Sequence, residues 1–173
     1  MFLLCVVFLP LLTGGCDKAE SPTVKQPPVA IVSGDECHVC GMTISRFPGP
    51  KGEAYVRGAT KPFKFCSTRD LFSWFLQPEN KVSATSIYVQ DMGATDWAHP
   101  GDSTFIDARS AWYVANQSLQ GAMGPTLASF ASKADAEKFI KKNGGQLLRF
   151  QDVTLELVAT LHEDNGPRQH TNH

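Results

Sequence analysis

The sequence predicts an α+β fold: two similar ββαβ units, an internal repeat, behind a lipoprotein signal and a flexible tether. Three observations carry this expectation. First, residues 63–75 align with 128–140. Each stretch runs from an apolar strand end into Ser67 or Ser132, with Asp70 or Asp135 three residues later, which is a capping-box-like helix start. Second, apolar side chains recur at helical spacing after each cap: Leu71, Trp74 and Phe75, then Ala136, Phe139 and Ile140. Third, short apolar and β-branched runs flank both helices, as strands do.

In chain order, residues 1–15 read as a lipoprotein signal peptide. Phe2 to Leu12 form an apolar run broken by Pro10, too short to span a bilayer. Leu12-Thr13-Gly14-Gly15-Cys16 then gives a large aliphatic residue, small residues and a cysteine, so Cys16 is the expected lipidation site. No Lys or Arg precedes the apolar run, where a basic region is usual. Residues 16–30 carry Ser, Thr, Lys, Gln and prolines and read as a lipid-anchored tether.

The first unit is expected over 31–100. Ala54-Tyr55-Val56 supplies a strand, Pro78 stops the first helix, and Ser86-Ile87-Tyr88-Val89 follows it. The second unit is expected over 101–162. Phe105-Ile106 and Trp112-Tyr113-Val114-Ala115 precede its helix, Asn143-Gly144-Gly145 ends it, and Leu147-Leu148-Arg149-Phe150 follows. Alternation of Val153, Leu155 and Leu157 fits a strand, and Asp152 as a cap fits a helix through Leu161; the helix is preferred. Residues 163–173 read as a polar, flexible tail, with His162, His170 and His173 as terminal residues. The net charge of −1 and the lack of a basic patch exclude nucleic-acid binding.

Cys5 would leave with the signal and Cys16 would be acylated. Cys37, Cys40 and Cys66 remain, an odd number that points to metal or reactive thiol use rather than a disulfide framework. Cys37-His38-Val39-Cys40-Gly41-Met42 places two thiols, a thioether and an imidazole in six residues. Gly41 allows the tight turn that brings neighbouring side chains to one point. Thiolate and thioether are soft donors and favour Cu(I). Met123, in the Gly-rich loop Gly121-Ala122-Met123-Gly124-Pro125, is a further candidate ligand; a Met filling a packing gap is the alternative. Met92 is weaker. Cys66 sits at a helix N-terminus, which favours a thiolate, but Ala131 occupies the equivalent place in the repeat and suggests packing. His99, in a loop between the units, and His38, between the two thiols, are secondary candidates. His38 is expected to point away from a metal shared by its neighbours. No paired carboxylates or Ser-His-Asp pattern suggests an enzyme.

The lipobox, Cys37-x-x-Cys40-Gly41-Met42, Phe65-Cys66-Ser67, Phe105-Ile106-Asp107-Ala108, Met123-Gly124-Pro125 and Phe130-Ala131-Ser132 together resemble the NosL family. These are accessory lipoproteins of nitrous oxide reductase. The resemblance spans nearly the whole chain after the signal. It implies bound Cu(I) on Cys37, Cys40, Met42 and Met123, and no enzymatic activity. It also implies a role in denitrification: a metallochaperone that supplies copper for the reductase's copper-sulfide centre. The partners it implies are the membrane ABC-type maturation complex and, through it, the reductase. The location it implies is a lipid-anchored, periplasm-facing one. Asp17 after the lipid-bearing Cys leaves inner and outer membrane open. Two rival readings remain: a thiol-disulfide oxidoreductase using Cys37 and Cys40, and a binding module with structural zinc on Cys37, Cys40, Cys66 and His99. Redox CxxC motifs usually open a helix after a strand, whereas Gly41 and Phe47-Pro48-Gly49-Pro50 indicate a loop here. Zinc would leave Met42 unused.

Overall fold

The computed structural model describes residues 25–161. The expected signal, Cys16 and its lipid, the first part of the tether, and His162, His170 and His173 lie outside the described residues. Among the described residues no helix is long and apolar enough to cross a membrane.

Strands β1 (Gly52–Val56) and β2 (Phe63–Phe65) are followed by helices α1 (Thr68–Phe75) and α2 (Pro78–Ser83), then by β3 (Ala84–Gln90) and β4 (Phe105–Asp107). These strands form an antiparallel sheet in the order β2-β1-β3-β4. The second group is β5 (Trp112–Ala115), a small hairpin of β6 (Gln120–Gly121) and β7 (Gly124–Pro125), β8 (Ala128–Phe130), α3 (Lys133–Asn143), β9 (Gln146–Arg149) and α4 (Leu155–Thr160). Its main sheet has the order β8-β5-β9, again antiparallel. The chain is therefore α+β, as the sequence predicts. In the first sheet β1 lies between β2 and β3, which the α1–α2 crossover joins; in the second β5 lies between β8 and β9, which α3 joins.

The N-terminal caps of α1 and α3 are those the sequence predicts. Ser67 Oγ accepts from the backbone N–H of Asp70 at 3.0 Å, and Ser132 Oγ from that of Asp135 at 3.1 Å. Each satisfies one of the backbone donors left free at a helix start. Gly144, at φ +72°, ends α3. Helix α1 ends at Phe75, and Pro78 opens α2 at its first position, where no backbone donor is needed.

Three expectations are corrected. Phe105–Asp107 does not begin the second unit; it pairs with β3, with Ile106 opposite Val89. The chain returns along the free edge of the first sheet before crossing over. The last helix is capped by Thr154, whose Oγ1 accepts from Leu157 N at 3.1 Å. Asp152 instead accepts from Arg149 N at 2.8 Å, closing the preceding 3-10 turn. Residues 25–30, read from composition as part of the tether, lie along the first sheet. Tyr55 Oη donates to Pro27 O at 3.0 Å, and Glu53 Oε2 accepts from Val29 N at 3.0 Å.

Helix α1 lies between the two sheets. Leu71, Phe72 and Phe75 share one core with Phe65, Ile87 and Val89 of the first sheet and with Tyr113, Ala115 and Leu148 of the second. Strand β5 alternates as a two-sided strand should: Tyr113 and Ala115 face that core, while Val114 and Trp112 face α3 with Ala136 and Phe139. Gly52 is required where β1 passes α1, since a Cβ there would stand 2.7 Å from a Leu71 methyl. Phe72 is the hinge of the packing, with its ring 5.1 Å from Tyr113 and 5.5 Å from Phe150. Phe72→Ala is expected to cost about 3–5 kcal/mol, read as a lower midpoint in denaturant unfolding. A loss under about 1 kcal/mol would show that the units do not depend on this ring.

Candidate metal centre

The Cys37–Met42 loop is a tight reversal held by its own backbone. Cys37 N donates to Met42 O at 2.9 Å, and Gly41 N donates to Cys37 O at 2.8 Å. Gly41 sits at φ +71°, a conformation that L side chains rarely adopt. Buried Ile44 anchors the loop's return, and Ile44 N donates to Asp35 O at 2.9 Å. The outgoing arm docks on the edge of the first sheet, where His38 N donates to Lys64 O at 2.8 Å. This docking turns Cys37 inward, toward the junction of β2 and α1.

At that junction stands Cys66, the residue before the helix cap. Cys40 Sγ lies 3.5 Å from Cys66 Sγ. Asp70 Oδ2 accepts from Cys66 Sγ at 3.1 Å and from Cys37 Sγ at 3.5 Å. The ligand atoms of Cys37, Cys40, Cys66 and Asp70 all lie within 4.8 Å of one another. Cys37, Cys66 and Asp70 are buried, and Cys40 is half-buried, facing the mouth of the site.

The thiols are electrically unlike. A hydrogen bond from Cys66 holds the Cys37 thiol well below its ordinary range. The Cys66 thiol is pushed far up, chiefly by that same bond, then by burial and by the Asp70 carboxylate. The Cys40 thiol is raised, mainly by burial. Buried Lys51 lies behind the cluster; Nζ donates to Phe47 O at 2.6 Å and Pro48 O at 2.9 Å, and burial lowers its pKa to about 8.

The structure thus unites Cys37 and Cys40 with Cys66, which the comparison with Ala131 had made a packing residue. It also adds Asp70, which sequence reasoning treated only as part of a cap. The cap uses the backbone N–H of Asp70, so its carboxylate is free to face the thiols. The spacing from Cys66 to Asp70 was the available signal: across a strand–helix junction it returns the chain to the same side.

Met42 is half-buried in the same loop. Met123 is 40% exposed, in the turn between β6 and β7. That turn is tied to the site, because Met123 O accepts from Arg69 Nη1 at 2.9 Å, and Arg69 directly precedes Asp70. Thr68 and Thr126 hydroxyls, 2.9 Å apart, fix the same contact. Met92 is buried among Val114, Ala128 and Phe130 and serves packing. The two histidines are elsewhere. The His38 ring stacks on Phe63 with centroids 3.9 Å apart and meets Phe65 and Trp74 edge-on. Exposed His99 borders a separate cavity with Lys51, Gln90 and Asp102. Neither imidazole belongs to the converging donor set found among the described residues, so the zinc set that included His99 is not assembled. Nor does the CxxC open a helix; it lies in a hairpin-like loop.

Three converging thiols suit soft, thiophilic ions. The sequence signature of the NosL family matches residues 28–158. The copper-binding lipoprotein NosL of Stutzerimonas stutzeri is 46% identical over 169 residues, covering 96% of this chain and 88% of that protein. The copper-binding lipoprotein NosL of Achromobacter cycloclastes is 36% identical over 126 residues, covering 71% and 65%. The crystal structure of the copper chaperone NosL from Shewanella denitrificans superposes with a TM-score of 0.74 at 52% identity, covering 76% of this chain and 98% of that one. Signature, relatives and fold agree, and this chain belongs to the NosL family.

Proposed function

We propose that this protein is a lipid-anchored carrier of Cu(I), attached through Cys16 and facing the periplasm. It delivers copper for the copper-sulfide centre of nitrous oxide reductase by way of the membrane ABC-type maturation complex. The observation that carries the copper reading is the convergence of Cys37, Cys40 and Cys66 at one half-open site, in a chain whose relatives are named for copper. The donor chemistry supports it. Three soft sulfurs hold Cu(I) tightly, and Cys40 at the mouth offers an exchangeable ligand. Met42 and Met123 supply thioethers from two different loops, so an incoming partner can take the ion by stepwise ligand replacement. Nothing in this scheme requires the chain to be a catalyst.

A second reading has one observation in its favour. Asp70 gives the three thiols a hard fourth donor, and zinc accepts a closed four-ligand set of this kind. Competition separates the two. The reduced full-length protein, in detergent, is expected to take one Cu(I) from a chelator of known affinity in the presence of excess Zn(II). Preference for Zn(II) would overturn the copper reading. Met123→Leu keeps volume and apolarity but removes the sulfur. It is expected to leave the unfolding midpoint unchanged and to weaken Cu(I) binding, with one sulfur fewer in X-ray absorption. Unchanged affinity and sulfur count would leave Met123 outside the site.

A further inference from the structure

We propose that Cys40 and Cys66, in the metal-free protein, are a reversible disulfide pair oxidised by small organic disulfides. This is a redox site distinct from the Cys37–Cys40 pair that the CxxC spacing suggests. The geometry favours it on three counts. The Cys40 and Cys66 sulfurs are already in contact at 3.5 Å, and a disulfide needs about 2.05 Å. The remaining approach falls on Cys40, which is carried by a half-exposed loop, while Cys66 is fixed at a strand–helix junction. Cys37 is less free: its N–H and C=O both close the turn, and its sulfur is bonded to Asp70. The pair is also separated by 26 positions, so its closure constrains the unfolded chain more than a link across CxxC would.

Accessibility sets the order of events. Cys66 is 0% exposed and cannot meet an external reagent, whereas Cys40 stands at the mouth. Cys40 sulfur attacks one sulfur of the organic disulfide, forming a mixed disulfide and releasing one thiol. Cys66 sulfur then attacks the Cys40 sulfur, forming the internal bond and releasing the second thiol. Two electrons pass from the protein to the reagent, and the two protons end on the released thiols. The oxidised site keeps only Cys37 as a free thiol. Metal loading and the disulfide then exclude each other, a consequence that rests on the proposed Cu(I) site; the disulfide itself does not.

The test uses the full-length, reduced, metal-free protein in detergent, with oxidised glutathione as the reagent. After alkylation and digestion, mass spectrometry is expected to find Cys40 linked to Cys66 and Cys37 alkylated. Cys66→Ser is expected to stop at a glutathione adduct on Cys40, and Cys37→Ser to form the link as before. Preloading with Cu(I) is expected to leave all three thiols reduced. A dominant Cys37–Cys40 or Cys37–Cys66 link, or a stable glutathione adduct on Cys40 of the unaltered protein, would overturn the proposal. If the Cys40–Cys66 link forms but Cu(I) neither binds nor protects, the disulfide stands and the copper reading fails.

Discussion

Cys66→Ala is expected to fold and to lose Cu(I) affinity by more than the roughly 10- to 100-fold that follows loss of a second-shell partner. The reason is position. Cys66 Sγ lies 3.5 Å from Cys40 Sγ and 3.1 Å from Asp70 Oδ2, and the residue is wholly enclosed. No water or neighbouring side chain can replace its sulfur without rebuilding the β2–α1 junction. Folding survives because the cap that starts α1 belongs to Ser67, and the loss of one small buried side chain lies within about 0.5–3 kcal/mol. Chelator competition gives the affinity, and denaturant unfolding of the same preparation gives the fold. Native-like affinity in a folded variant would make Cys66 a packing residue, as its counterpart Ala131 suggested. Asp70→Asn, which keeps an acceptor for the two thiols, is expected to remain within the second-shell range.

What was legible in the sequence was local. Ser67 and Ser132 announce their helices because a cap is made within four residues, and the two periodic faces follow from the same turns. The soft-donor loop was equally visible, since Cys37, Cys40 and Met42 are near neighbours. What was not legible depends on docking. A three-residue strand such as Phe105–Asp107 carries no signal of which sheet it will join, and its place shows only in its pairing with Tyr88, Val89 and Gln90. Cys66 and Asp70 meet Cys37 and Cys40 only because the loop closes against Lys64 and turns its thiols toward α1. Comparing the two units hid this. Cys66 in one aligned stretch and Ala131 in the other look like a shared packing position. Composition likewise read residues 25–30 as a tether, while the first sheet offers their backbone specific partners in Tyr55, Tyr88 and Glu53.

Those partners lead to a pH dependence centred on Glu53. Its side chain is 0% exposed on β1, beneath residues 25–30. Oε2 accepts from Val29 N at 3.0 Å, while Oε1 has no hydrogen-bond partner among the described residues. Lys64 Nζ stands 4.0 Å away and also serves Asp35 and Ala30 O. Burial outweighs these favourable contacts and pushes the carboxyl up from 4.5 to about 7. A folded-state value above the unfolded one means that the fold prefers the protonated acid. The contribution of Glu53 to stability is therefore fully present below about pH 4.5 and is lost as pH rises through about 7. The full span corresponds to ~3 kcal/mol as an order of magnitude. Glu53→Gln keeps an acceptor for Val29 N, places a donor or acceptor where Oε1 lacks a partner, and cannot ionise. The variant is expected to match the parent near pH 4.5 and to exceed it by about 1–3 kcal/mol at pH 8. Denaturant unfolding of both proteins at pH 4.5, 6 and 8 measures the difference. Parallel stability curves would mean that Glu53 ionises in the fold without cost, and that Lys64 already compensates its charge.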